Sequence, residues 1–149
     1  MNIYALVVGA VIAVFVVLRF RARRLEQTKW AYPMLLATFP IYYWIFAVYA
    51  ADYSALLNEF MAGAAFFAIA YAAYRFRTFA TLLLLAIGYV THAAYDYYHA
   101  MFFINSGVPI WWPEFCGAVD VLVGGYIAYL AFSLPKNKSI IASQVTPGK

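Results

Sequence analysis

Residues 79–103 read FATLLLLAIGYVTHAAYDYYHAMFF, an apolar run long enough to cross a hydrocarbon core of about 30 Å, yet carrying His92, Asp96 and His99. His92 and His99 are the only histidines in the chain. At a helical pitch of about 100° per residue the three fall within an arc of roughly 60°, so one helix face bears two imidazoles and an acid. An Asp near the centre of a membrane helix costs about 2.5–3.5 kcal/mol. Such residues therefore face a protein interior or a wet cavity and usually mark function.

The flanking sequence is of the same kind. The 149 residues are 67% hydrophobic and 11% charged, against about 45–50% and 25% in soluble domains. Apolar runs predict an all-α integral membrane protein with five transmembrane helices, at Ile3–Phe20, Trp30–Ala50, Ala55–Tyr74, Phe79–Phe103 and Phe115–Leu134. Residues 1–134 then form one domain, and 135–149 a polar cytoplasmic tail.

Charge predicts the orientation. Arg19, Arg21, Arg23, Arg24 and Lys29 follow span one, Arg75 and Arg77 follow span three, and Lys136, Lys138 and Lys149 follow span five. Basic residues in short loops stay on the cytoplasmic side, which puts the N-terminus outside and the C-terminus inside. The expected location is a bacterial inner (plasma) membrane. The +4 net charge reports topology and excludes nucleic acid as an expected partner. No basic segment precedes span one, so it reads as a retained anchor rather than a cleaved signal. The single cysteine excludes an intramolecular disulfide.

The acids lie at the other end. Only Glu26 is in a cytoplasmic loop; Asp52, Glu59, Asp96, Glu114 and Asp120 belong to external loops or outer half-spans. At 1.5 Å per residue Glu59, Asp96, His99 and Asp120 lie roughly 6–10 Å deep and His92 about 16 Å. Cys116 and Asp120 are four apart on one face of span five, at a depth matching Asp96. Pro113 and Glu114 suit the first turn of a helix, with Trp111 and Trp112 as interfacial anchors. Asp52 reads as solvated loop. Pro33 and Pro40, on one face of span two, can widen the bundle into a cavity beside the polar layer. Small residues after Glu59 predict close neighbours for span three and a central place in the bundle. Most of the tyrosines read as an aromatic belt, with Tyr95 near enough to Asp96 to donate to a site ligand.

Imidazole and carboxylate are ligands of Zn, Fe and Mn, and Asp96 and His99 repeat the i, i+3 spacing of carboxylate-bridged metal bundles. The expected ligands are His92, Asp96, His99 and Asp120, completed by Cys116, with Glu59 and Glu114 as candidate catalytic bases. His92 and His99 are about 10.5 Å apart in rise, so either Asp96 bridges two ions or one histidine only supports a ligand. The His/Asp helix is similar in kind to membrane hydrolases of the ceramidase and progestin-receptor type, which gather His and Asp at an embedded zinc. Those proteins have more spans and three histidines where this chain has two. Five aromatic-rich spans also resemble the tryptophan-rich sensory family, without its motifs. Neither resemblance transfers a residue.

The expected function is a metal-binding and candidate catalytic site in the outer half, acting on a lipophilic or amphipathic molecule, with the bilayer and such a molecule as partners. Two rivals stand beside it. One is a proton- or ion-coupled transporter subunit, against which the apolar FATLLLLAIGYV before His92 argues unless a homo-oligomer interface supplies a path. The other is a noncatalytic binder of quinone, haem or lipid.

Overall fold

The computed structural model describes residues 1–133. Five helices, α1 (Ile3–Ala22), α2 (Ala31–Tyr49), α3 (Tyr53–Phe76), α4 (Phe79–Phe102) and α5 (Trp112–Ser133), make up an all-helical bundle. Each is long and apolar enough to cross a membrane. Helix α5 begins three residues before the expected Phe115, as a Pro113–Glu114 first turn requires. The expected tail and Leu134, with Lys136, Lys138 and Lys149, lie outside the described residues.

Polar side chains at the helix starts fix the boundaries. Asn2 Oδ1 accepts from the Ala5 amide at 3.1 Å, and Asp52 accepts from Ala55 at 2.9 Å, which makes Asp52 a helix cap where a solvated loop acid was expected. Thr78 and Thr81 cap α4 reciprocally. Arg77 closes α3 in the left-handed conformation and donates to the carbonyls of Gln27 and Glu26, the latter at 3.0 Å. These contacts bring the α1–α2 link and the α3–α4 turn to one end, called here the basic end. At the opposite, acidic end the Asn2 amide donates to Glu114 Oε1 at 2.9 Å.

Helix α4 packs on α5 and α3 and touches α2; α5 also carries α1, and α2 lies on α3. The central place expected of span three therefore belongs to α4. A Cβ on Gly9 would stand 2.3 Å from the Phe115 carbonyl oxygen, so the α1–α5 contact requires glycine there, and one on Gly124 would stand 3.1 Å from the Ala86 carbonyl oxygen, a tight approach of α5 to α4. Only Gly9 and Ala13 of α1 are buried, leaving an apolar helix exposed around most of its circumference. Leu36, Leu85, Tyr89, Val123 and Ile127 fill the centre in the basic half. Above them lies a layer of buried acids and histidines.

Candidate metal centre

The inward face of α4 repeats at helical spacing through Leu85, Tyr89, His92, Asp96 and His99, all buried. Its neighbour α5 presents Cys116, Asp120, Val123 and Ile127 on the same principle. Where the two faces meet, His92, Asp96, Cys116 and Asp120 converge. One ligand atom from each lies within 4.8 Å of all the others. The four are at most 1% exposed.

His92 Nδ1 is 2.9 Å from Asp120 Oδ2 and 3.5 Å from Asp96 Oδ2, and the Cys116 thiol points at Asp120 Oδ2 from 3.9 Å. Tyr43 of α2 donates its hydroxyl to Asp96 Oδ1 at 2.7 Å. The rings of Phe39 and Phe66 close on the His92 imidazole at 5.4 and 4.7 Å between centroids. Three polar atoms of the quartet, His92 Nε2, Asp96 Oδ2 and Asp120 Oδ1, have no hydrogen-bond partner among the described residues. Two carboxylates and a thiol face one imidazole here, so the protein's own charges do not balance unless protons or a cation make up the difference.

One helical turn nearer the acidic end, a second assembly has no such deficit. Glu59 of α3 accepts from Tyr95 at 2.7 Å and from Asn105 at 2.8 Å, and its Oε1 is 2.7 Å from His99 Nε2. Asn105 also donates to the Tyr43 carbonyl at 3.2 Å and accepts from the Gly107 amide. The Tyr43 ring stacks on His99 at 4.7 Å, so one tyrosine touches both assemblies.

The structure thus brings together four of the expected ligands and separates the fifth. His99 lies with Glu59 of α3, 2.7 Å away, while Asp120 of α5 meets His92 at 2.9 Å. Glu59, expected as a general base, faces inward at 2% exposure with three donors already on it. Glu114, the other candidate base, stands at the rim, bonded to the Asn2 amide and 3.7 Å from the N-terminal ammonium. Trp111 and Trp112 lie beside it at the start of α5.

Tyr43, one of the tyrosines expected to form an aromatic belt, is instead fully buried, and Asn105 was not expected as a site residue. A signal for Tyr43 existed: Leu36, Phe39, Pro40, Tyr43 and Ala47 are the buried stripe of α2, on the face marked by the prolines. Asn105 sits in the α4–α5 loop, where spacing carries no information. Compared with protein-family models, curated proteins and solved structures, the chain matches none.

Proposed function

We propose that this is an integral membrane metalloprotein, its acidic end outside and its basic end cytoplasmic, with one transition-metal ion held by His92, Asp96, Cys116 and Asp120. The observation that carries the reading is the convergence of four ligand atoms from two helices within 4.8 Å. Bonds of about 2.0–2.3 Å in a tetrahedral shell put ligand atoms about 3.3–3.8 Å apart, so shifts of about 1 Å would close the quartet on an ion. A nitrogen, two oxygens and a thiolate suit Zn or Fe better than Mn, which favours all-oxygen sites. The Tyr43 hydroxyl supports the site by occupying Asp96 Oδ1 and leaving Oδ2 for the ion.

Four protein ligands leave no open position, which makes this a resident ion that joins α4 to α5. A hydrolytic version acting on a lipophilic or amphipathic molecule requires Cys116, the most distant contact, to give way to water. The transport reading gains no support from the geometry, since the buried acids and histidines all lie in the acidic half.

Protein purified without chelator should contain about one equivalent of Zn or Fe by elemental analysis. Asp120→Asn and His92→Ala should each abolish it, and His99→Ala should retain it. Wild-type protein that is metal-free and takes up neither ion on dialysis would sink the reading. Orientation has its own check: with Cys116→Ser as background, cysteines at the exposed Ser106 and Arg24 should label from outside and inside respectively, and same-side labelling breaks the arrangement.

A further inference from the structure

Between α2 and α3, in the basic half, runs a cavity of about 460 Å³ lined by Trp30, Pro33, Ala37, Phe67, Ala70 and Tyr74, among others. Its size falls within the roughly 300–1,000 Å³ of small-molecule sites. Pro33 also lines a second cavity of about 160 Å³ at the basic end, whose wall includes Lys29 and Arg77. The larger groove is lined by apolar and aromatic residues; Lys29, in the wall of the smaller cavity that shares Pro33, and Arg75 are the chain neighbours of its lining residues Trp30 and Tyr74. Arg77 already donates to the Glu26 and Gln27 carbonyls, and Arg75 lies over the Phe76 ring. Among the described residues neither Lys29 nor Arg75 has an acidic partner.

An apolar trough with aromatic residues and basic charges at one end matches a ligand with an acyl chain and an anionic head. We infer that this groove binds one anionic phospholipid, its chain between Ala37, Phe67 and Ala70 and its phosphate at Lys29, with Arg75 adding to the local field. The inference rests on the membrane orientation proposed above, which sets Lys29 at the leaflet that carries anionic lipid. A second copy of the chain is the less suitable occupant. A two-fold contact over this groove would bring Lys29 and Arg75 towards their own counterparts, a like-charge juxtaposition.

The test uses the intact protein in detergent micelles carrying equimolar phosphatidylglycerol and phosphatidylcholine, read by native mass spectrometry. One phosphatidylglycerol should be retained with at least about fivefold preference, and Lys29→Gln and Arg75→Gln should each lower that preference by up to about fivefold, the effect of one interfacial charge. Ala37→Trp, which fills the groove, should remove the tightly held lipid. As a second reading, brominated-chain phosphatidylglycerol should quench wild-type fluorescence more than that of Trp30→Phe. Equal retention of both lipids, unchanged retention in Ala37→Trp, or a dimer in place of bound lipid would each overturn the inference. Competition by inorganic phosphate with no dependence on the acyl chain would do the same, marking an anion site only. Metal content, measured on the same variants with Cys116 intact, and labelling topology, measured separately in the Cys116→Ser background, distinguish failure of this site from failure of the membrane metalloprotein reading.

Discussion

His92 and His99 share a helix face, yet their surroundings differ in kind. Around His99 every partner is matched: Glu59 takes three donors from Tyr95, Asn105 and the imidazole, and the Tyr43 ring covers the histidine. Around His92 two carboxylates and a thiol crowd one ring, and three buried polar atoms lack partners among the described residues. A buried polar network that is complete holds helices together; one left incomplete is costly unless something else occupies it. The first assembly therefore reads as an interhelical tie, and the second as a group that could hold a metal ion.

The largest effect that separates them should come from Glu59→Ala. It leaves His99, Tyr95 and Asn105 without their shared acceptor, across α3, α4 and the α4–α5 loop. Three interhelical hydrogen bonds at the membrane average of about 0.6 kcal/mol each give a lower figure near 2 kcal/mol, and an orphaned buried pair raises it to about 3–5 kcal/mol. Denaturant titration of the purified protein should show that loss while elemental analysis shows the metal retained. Asp120→Asn should give the reverse pattern, losing metal while the stripped protein changes little in stability, because it removes an acid already short of partners. A Glu59→Ala protein of normal stability that has lost its metal would exchange the two roles.

The difference between the assemblies was only partly readable in the chain. Hydropathy and charge placed the five helices to within a few residues, because apolar length is a property of each segment alone. The i, i+4 spacing of His92 with Asp96 and of Cys116 with Asp120 put each pair on one face, and matching depth brought the faces together. Helical spacing could not say which neighbour each histidine meets. His92 faces α5 and His99 faces α3, and that choice depends on the rotation of α4 about its own axis, which the spacing of its residues leaves open. The cavity expected from Pro33 and Pro40 exists on the Pro33 side, in the basic half rather than beside the polar layer. Asn105 lies in a loop, where its dual bond to Glu59 and the Tyr43 carbonyl follows from tertiary closure alone.

Tyr43 is where the comparison can be sharpened most finely, because it belongs to both assemblies through different atoms. Its ring stacks on His99, and its hydroxyl alone reaches Asp96, at 2.7 Å. Tyr43→Phe keeps the first contact and deletes the second. One donor to a carboxylate is worth about 1.5–3 kcal/mol, so the stability loss should be smaller than that of Glu59→Ala. Freed of the hydroxyl, Asp96 can turn or share both oxygens with His92, and the ion loses the hydrogen bond that orients its ligand. Chelator competition should then show affinity reduced about 10–100-fold, the usual effect of removing such a partner, with the metal still binding at one equivalent. Unchanged affinity would mean that Asp96 does not reach the ion through the oxygen that Tyr43 leaves open, and that the tie around His99 and the ligand set around His92 act independently.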